Sequence, residues 1–407
     1  MAVRQPPRRS AWFTVHRWLG IGLGLWFALV GLTGSLLVYD EALDAWLNPQ
    51  LLRARSAGIL PAEAIVARAG ELGFGAVERI RFPLAAGEVY RLQLRATTRR
   101  VGAERIEALF DPGSGALLGT RGADALGVSP PLLMRTLYEF HRNVLLGPTG
   151  SNIVGVAGLL LLASSVTGIV LGWPRKRAAW RRLVWINRRA SATRQVFDLH
   201  RSAGALFAVL LLLATLTGAT LVYLNYVRDL VDLVSPVKSF PTVPWRAAPL
   251  DAERSLPDAI AGVRAAFPQH ALVELRTPTG QLTGYEFFLK RPGDVHRLGD
   301  TILWVHPLTG EILVERSGRT RTAGEAFMHW LYPLHSGSAL GTPGLVAMCL
   351  TGLLPLLLVS TGMWVWLRKR RGERISRERR EQRDVAAGAM TALSFREKRG
   401  ISSPTTE

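Results

Sequence analysis

Four histidines stand at corresponding positions of two repeated segments. His16 begins the run HRWLGIGLGLWFALVGLTGSLLVY and His200 begins HRSAGALFAVLLLLATLTGATLVY, and both runs have Leu-Thr-Gly from the sixteenth residue after the histidine. His141 and His335 precede two further apolar runs, each with Gly at the sixth following residue and Thr-Gly at the twenty-sixth. Neutral imidazole is a common axial ligand of haem iron. Imidazoles repeated at fixed depths of apolar segments therefore predict haem iron bound between helices.

Four uncharged stretches divide a chain of 407 residues and net charge +19. They cover residues 18–39, 143–174, 202–227 and 336–367. Each is long enough to cross about 30 Å of hydrocarbon, which takes roughly 20 helical residues. Arginine and lysine are concentrated before the first stretch, between the second and third, and after the fourth, so the positive-inside rule places these segments in the cytoplasm. The sequence predicts four transmembrane helices, cytoplasmic termini and two large external loops.

Other interpretations of the basic and apolar composition are weaker. A nucleic-acid-binding protein is disfavoured because the basic residues flank membrane segments and form no basic fold interleaved with aromatic residues. A cleaved signal peptide is disfavoured because the first apolar run is too long and lacks a small-x-small cleavage site. Cys349 is the one cysteine, which excludes intramolecular disulfides, cysteine-ligated clusters and covalent haem attachment through C-x-x-C-H. Any haem is therefore expected to be bound non-covalently.

The two external loops repeat the same order of elements. These are residues 61–69, 89–95 and 108–119 in the first loop and 257–266, 284–290 and 302–315 in the second. The patterns predict an amphipathic helix, then a half-buried strand, then a hairpin with a tight turn. Each loop is thus expected to be one small α+β domain, and Pro241, Pro244 and Pro249 predict an extended linker before the second.

The predicted topology sorts the four histidines into two pairs. His16 and His200 fall at the cytoplasmic level, and His141 and His335 fall at the external level. One macrocycle cannot bridge the two levels, because they are about 30 Å apart. The sequence therefore predicts one haem between His16 and His200 and a second between His141 and His335.

The Thr-Gly pairs return to the same two levels. Thr33 lies 17 residues after His16, roughly 26 Å along a helix. Gly34 and Gly218 are thereby expected beside the external haem, and Gly168 and Gly362 beside the cytoplasmic one. A glycine next to a flat macrocycle removes the Cβ that would clash, although small residues in membrane helices also serve as packing contacts.

Three arginines directly follow histidines of the quartet: Arg17, Arg142 and Arg201. They are expected either to pair with haem propionates or to anchor the helix ends in the lipid interface. His335 is followed by Ser336 instead.

The remaining histidines carry weaker signals. His329 lies six residues before His335, off its helical face at about 100° per residue, so both cannot ligate one iron on a straight helix. It is expected either to line the external approach or to cap the helix. His306 is expected in a turn, whereas His270 and His296 have the pattern of surface loop residues.

With these motifs, the chain resembles the PepSY-associated transmembrane family of iron-regulated membrane proteins. The H-R-W-x-G-x-x-x-G segment at His16, the L-H-R-S-x-G segment at 199–204 and the D-P-x-x-G turn at Asp111 carry the likeness, together with the segments at His141 and His335. It covers about residues 10–371. Some members of this type are haem-containing inner-membrane reductases that release iron from ferric siderophores. The resemblance implies a bacterial inner membrane, two b-type haems and two PepSY-like periplasmic domains.

The resulting expectation is a membrane α-helical protein, a four-helix transmembrane bundle with two α+β PepSY-like domains. The expected boundaries are a cytoplasmic N-terminus at 1–15, helices at 16–40, 135–173, 199–227 and 329–367, periplasmic domains at 41–134 and 228–328, a basic cytoplasmic loop at 174–198 and a tail at 368–407. The expected function is electron transfer from a cytoplasmic or quinol donor to a periplasmic ferric siderophore. The alternatives are a haem-free PepSY protein that binds a peptide or a protease, and a siderophore permease. Membrane lipid is an expected partner, and nucleic acid is not.

Overall fold

The computed structural model describes residues 7–95, 104–174, 176, 180–237, 256–278 and 284–398. Its helices are α1 (Pro7–Leu37), α2 (Asp40–Leu47), α3 (Pro49–Leu52), α4 (Ala62–Glu71), α5 (Pro130–Asn143), α6 (Gly147–Gly172), α7 (Trp180–Leu183), α8 (Ala192–Leu206), α9 (Ala208–Val222), α10 (Leu224–Asp232), α11 (Leu256–Ala266), α12 (Ala323–Ser336) and α13 (Gly341–Lys398). Its strands are β1 (Val77–Arg81), β2 (Tyr90–Arg95), β3 (Arg105–Phe110), β4 (Leu117–Gly122), β5 (Ala271–Arg276), β6 (Tyr285–Lys290), β7 (Thr301–Val305) and β8 (Ile312–Arg316). The predicted proline linker at 241–249 lies outside the described residues.

The strands of both loops form one antiparallel sheet in the order β4-β3-β2-β1-β5-β6-β7-β8. The two halves join where β1 pairs with β5, with Ile80 opposite Leu275. The sequence predicted the helix, the second strand and the hairpin of each half, but it did not predict β1 or β5, and it treated the two loops as separate small domains. The difference arises because β1 and β5 would each be an open edge in a separate four-stranded sheet, and pairing them satisfies their backbone groups.

One hydrophobic core serves both halves of this sheet. Helices α4 and α11 contribute Ile65 and Ile260, which pack with alternate strand residues such as Leu92 and Phe287. All four side chains are almost fully removed from solvent. The alternation places apolar side chains on the helix-covered face and polar side chains on the other, as expected for a half-buried sheet.

In the part of the chain that the structure describes, three helical segments are long and apolar enough to cross a membrane: Ala11–Leu37, Gly147–Gly172 and Ser338–Gly388. A fourth span results if α8 and α9, which meet at an angle of 61°, are taken together. The sequence predicted one continuous helix there. Helix α8 is amphipathic whereas α9 is apolar throughout, so the two segments suit different depths of a membrane.

The helices that carry His141 and His335 are separate from the spanning helices that follow them. Helix α5 ends at Asn143, and Val144 and Leu145 both have left-handed backbone angles. The second half has the left-handed Gly337 at the corresponding break. The sequence predicted each histidine near the start of one long helix, and these left-handed caps are the reason that the chain breaks instead.

The spanning helices pack in an arrangement that the duplication repeats. Helix α1 packs on α13, and α6 packs on α9, so each contact joins the first span of one half to the second span of the other. Gly31 and Gly352 allow the α1 and α13 backbones to approach closely. Nearby, the Ser35 hydroxyl donates to the Cys349 carbonyl at 2.7 Å. Small residues at a helix contact are typical of membrane bundles.

Ion pairs join β4 and the segment between β6 and β7 to α2 at one end of the bundle. Arg297 pairs with Asp40 at 2.9 Å and with Glu41 at 2.5 Å. Arg121 pairs with Asp44 at 2.9 Å. The bundle thus has a sheet end, where these contacts lie, and a far end, where α1 begins.

Candidate functional site

The structure brings the four histidines together as two pairs, one at each end of the bundle. At the far end, the ring centroids of His16 and His200 are 6.3 Å apart. At the sheet end, those of His141 and His335 are also 6.3 Å apart. These are the pairs that the topology predicts. We refer to them as the far-end pair and the sheet-end pair.

Each histidine uses its Nδ1 atom to contact a backbone carbonyl of a neighbouring helix. The four carbonyls belong to Ser164 (3.0 Å from His16), Leu358 (3.0 Å from His200), Val30 (2.9 Å from His141) and Ala214 (3.1 Å from His335). A carbonyl oxygen only accepts, so Nδ1 must carry the proton in every ring. The remaining nitrogen, Nε2, then presents its lone pair.

A threonine three residues after each carbonyl residue contacts the same Nδ1 atom. The distances are 3.1 Å for Thr167 to His16, 3.0 Å for Thr361 to His200, 3.3 Å for Thr33 to His141 and 3.1 Å for Thr217 to His335. The carbonyl and the hydroxyl together fix the plane and the rotation of each ring.

The glycine after each threonine lies against the same imidazole. A Cβ added there would lie 2.8 Å from Cε1 of His141 at Gly34, 2.9 Å from that of His335 at Gly218, 3.1 Å from that of His16 at Gly168 and 3.3 Å from that of His200 at Gly362. The sequence predicted the correct level for these glycines but placed a macrocycle beside them. The histidine ring occupies the space that a Cβ would otherwise fill.

Each half of the chain positions its own histidines. Helix α6 holds His16 of α1, and α1 holds His141 of α5. In the second half, α13 holds His200 of α8 and α9 holds His335 of α12. Because every pair takes one histidine from each half, a ligand bound between the rings would bridge the two halves.

The separation of the two rings in each pair matches the spacing of two imidazole ligands on one metal ion. With metal–nitrogen bonds of about 2.0–2.1 Å and ring bonds of about 1.33 Å, the centroids of two opposed imidazole ligands should lie about 6.4 Å apart. The separation found is 6.3 Å at both levels. Within the described residues, none of the four Nε2 atoms has a hydrogen-bond partner, so these atoms are free to bind a metal.

Two imidazoles alone are too few ligands for a bare ion. Among the described residues, no group of three or more histidine, cysteine or carboxylate side chains is placed to hold a metal. A porphyrin supplies four further nitrogens to its iron. The residues present therefore fit a haem at each level better than a free metal ion.

The three arginines have different surroundings. Arg201 pairs with the buried Asp198 at 3.1 Å and donates to the Trp185 carbonyl, while its Nε atom is buried without a partner. Arg17 lies over the rings of Phe13 and Trp18. Arg142 is exposed. Asp198 lies three residues before Arg201. On a helix this spacing brings the two side chains together, so the ion pair could have been predicted from the sequence.

A second cluster joins His329 of α12, the short helix that carries His335, to His296 of the preceding β6–β7 segment. His329 contacts Asp300 through Nε2 at 2.9 Å, and its ring stacks on His296 with centroids 4.9 Å apart. Tyr332 lies 5.6 Å from His296. The sequence treated His296 as a surface loop residue, because its partner is more than 30 residues away and no local pattern connects them. His306 does lie in a turn, where its Nδ1 accepts from Leu308 N–H.

The chain was also compared with known proteins. A family model described as the PepSY-associated TM region matches residues 13–369. No curated protein matches the chain. The matched range contains all four histidines of the two pairs and both halves of the sheet.

Proposed function

The chain belongs to the PepSY-associated transmembrane family, and we propose that it is a two-haem membrane oxidoreductase. One observation carries this proposal. Both histidine pairs have ring centroids 6.3 Å apart and Nε2 atoms with no hydrogen-bond partner among the described residues, while every Nδ1 is bound to a carbonyl. Packing alone gives no reason for four imidazoles with the same protonated nitrogen and the same free nitrogen.

The chain's residues have distinct parts in this proposal. His16 and His200 hold one b-type haem non-covalently, and His141 and His335 hold the other. The carbonyls of neighbouring helices keep each ring in one tautomer, which metal-bound histidines require. The buried Arg201 Nε, directly after His200, suits a haem propionate.

A haem bound at each level supplies a one-electron centre. Two histidine ligands leave no open coordination position, which favours electron transfer over oxygen chemistry. The protein sets the reduction potentials of the haems through the histidine ligands, the local dielectric constant and hydrogen bonds. It also holds the electron donor and the acceptor close to the haems. No acid–base side chain is required for this reaction.

The distribution of charge supports a direction for the electrons. The exposed basic residues 368–371 and the described part of the basic loop between α6 and α8 lie at the far end, which the positive-inside rule assigns to the cytoplasm. We assign the sheet end to the periplasm of a bacterial inner membrane. Electrons from a cytoplasmic reductant or a quinol would enter at the far-end pair and leave at the sheet-end pair.

A ferric siderophore is the acceptor that we favour. Its hard oxygen ligands prefer the more highly charged iron, so reduction weakens the complex and releases the metal. The sheet and the sheet-end pair share one end of the bundle, because α5 packs on α2 and on β4. The acceptor would therefore bind between the sheet and the bundle.

Absorption spectroscopy of the purified protein tests this function. We expect reducible b-type haem bands with two haems per chain, and anaerobic reduction of a ferric hydroxamate by the dithionite-reduced protein after excess dithionite is removed. Apoprotein that stays colourless after incubation with haemin would reject the proposal and would favour a peptide-binding or transport role. Haem-loaded protein that reduces no ferric chelate would reject the acceptor and retain the electron transfer.

A further inference from the structure

Haem ligation does not by itself require the threonine that accompanies each histidine. The backbone carbonyl already accepts the Nδ1 proton in all four cases. The same nitrogen nevertheless contacts a threonine hydroxyl in all four cases, twice in each half of the chain. A contact that recurs at all four histidines indicates that the threonine affects the chemistry of the imidazole and does not merely fill space.

The hydroxyl proton of each threonine is used within its own helix. Thr361 donates to the Leu357 carbonyl at 2.7 Å, and Thr217 donates to the Leu213 carbonyl at 2.7 Å. Thr167 donates to Ser164 at 2.8 Å, and Thr33 donates to Val30 at 2.9 Å. The oxygen is therefore left to accept from the histidine. Nδ1–H is shared between two acceptors, a carbonyl and a hydroxyl.

We propose that Thr33, Thr167, Thr217 and Thr361 are positioning residues that lower the reduction potential of the haem between each histidine pair. This inference rests on the proposed function. A second acceptor on Nδ1–H increases the electron density of the ring and strengthens Nε2 as a ligand. The stronger ligand favours the ferric iron over the ferrous iron. The imidazole stays neutral in both states, so the couple moves one electron and no proton.

The two levels give the proposal an internal check. Thr167 and Thr361 contact the far-end pair, whereas Thr33 and Thr217 contact the sheet-end pair. Loss of either hydroxyl at one level must therefore affect the same haem. Thr33 makes the longest of the four contacts, so its loss should have the smallest effect.

The chain also offers matched controls in the same helices. Thr351 lies in α13 with Thr361, is also buried, and donates to the Ala347 carbonyl, with no hydrogen bond to a histidine of the described chain. Thr215 lies two residues before Thr217 and donates to the carbonyls of Leu211 and Leu212. Thr→Val at these positions removes a hydroxyl from the same environment and leaves both histidine pairs untouched.

Anaerobic potentiometric titration with optical detection tests the proposal on the full-length protein. In Thr361→Val we expect the ferric form of the far-end haem to weaken by roughly tenfold relative to the ferrous form, an upward shift of 59 mV for a one-electron couple. Thr361→Ser should restore the wild-type midpoint, and Thr351→Val should not move it. Thr167→Val should shift the same component, and Thr217→Val should shift the other.

The possible results separate this inference from the proposed function. Haem-replete Thr361→Val with both midpoints unchanged would overturn the threonine role alone, as would an equal shift in Thr351→Val. A wild-type protein that binds no haem would overturn the proposed function and this inference together. If Thr361→Val does not accumulate in the membrane, Thr167→Val tests the same component.

Discussion

The imidazole of His141 lies directly against Gly34, a residue of a different helix. A Cβ at Gly34 would lie 2.8 Å from Cε1 of the ring, closer than real Cβ atoms approach. The ring cannot retreat without breaking its contact with the Val30 carbonyl at 2.9 Å. The backbone of α1 therefore fixes both the distance and the tautomer of a histidine that it does not carry.

We expect Gly34→Ala to displace His141 and to reduce the occupancy of the sheet-end haem. Alanine is a better helix former than glycine by about 1 kcal/mol, so the fold should not suffer from the backbone change itself. The equivalent change Gly362→Ala should be mildest, because its Cβ would lie 3.3 Å from His200. The haem content per purified chain, measured as the pyridine haemochrome, should be lower in Gly34→Ala than in Gly362→Ala.

Gly22→Ala is the matched control for Gly34→Ala. It lies in the same helix, and a Cβ at this position meets no atom within 4 Å. Wild-type haem content in Gly34→Ala, or an equal loss in Gly22→Ala, would contradict the arrangement of the sheet-end site.

A second prediction concerns the pairing of the histidines. We expect His16→Ala to remove the far-end haem and His141→Ala to remove the sheet-end haem, leaving about one haem per chain in each variant. The two residual spectra should differ, because the ring planes meet at 81° in the far-end pair and at 43° in the sheet-end pair. Electron paramagnetic resonance of the oxidised variants resolves low-spin haems that differ in this angle.

His306→Ala serves as a control for the loss of a histidine. His306 lies in the turn between β7 and β8, away from both pairs. Equal loss of both haems from a folded His16→Ala protein would show that the two sites are not separate.

The pairing could be predicted from the sequence because it depends only on repeats and topology. The repeated intervals from His16 and His200 to Thr-Gly set two levels, and the alternation of helix directions assigned each histidine to one of them. The same reasoning could not reveal what the glycines contact. Either an imidazole or a porphyrin beside these positions requires a residue that has no Cβ. Which of the two lies there depends on how closely α5 packs against α1.

Other features depend on contacts that a local pattern does not contain. The break after His141 uses Val144 and Leu145 in left-handed conformations, and neither residue type signals such a turn. The continuous sheet depends on Ile80 meeting Leu275, almost 200 residues away. The alternation predicted strands at 89–95 and 284–290, but it predicted neither β1 nor β5, the two strands that join the halves.

The external histidine cluster predicts acid sensitivity of the sheet end. Burial, and then the proximity of His329, lower the pKa of His296 to about 4, whereas an unfolded histidine titrates near 6.5. Between these values the unfolded chain binds a proton that the folded chain does not. Stability contributed by neutral His296 is therefore complete above about pH 6.5 and is lost as the pH falls towards 4.

We expect His296→Gln to flatten this dependence. The free energy of unfolding should fall between pH 7.5 and pH 5 by about 1–2 kcal/mol less in the variant than in the wild type, after allowance for the partial exposure of the ring. Thermal unfolding in detergent, followed by tryptophan fluorescence at both pH values, measures the difference. Parallel curves for the two proteins would show that His296 does not titrate in this range.

The last prediction concerns Glu107, which lies between two arginines on the polar face of the sheet. It accepts from Arg91 at 2.8 Å and from Arg121 at 2.6 Å. Burial alone would raise the pKa of Glu107, but the two arginines lower it to about 2. The carboxylate thus stays ionised throughout the pH range in which the protein would be handled.

Glu107→Gln leaves Arg91 and Arg121 facing each other without the charge between them. These side chains are only partly buried, and removing one partner of such an ion pair costs about 1–3 kcal/mol, because the remaining charge stays partly desolvated. We expect the free energy of unfolding to fall by this amount equally at pH 5 and pH 7.5, since Glu107 is ionised at both.

Glu71→Gln is the control, because its pair with Arg68 is exposed on α4 and should contribute at most about 1 kcal/mol. A loss in Glu107→Gln no larger than in Glu71→Gln would show that the arginines find water or other carboxylates instead. Arg121 would then keep its pair with Asp44 and its bond to the Pro131 carbonyl, which join the sheet to the bundle.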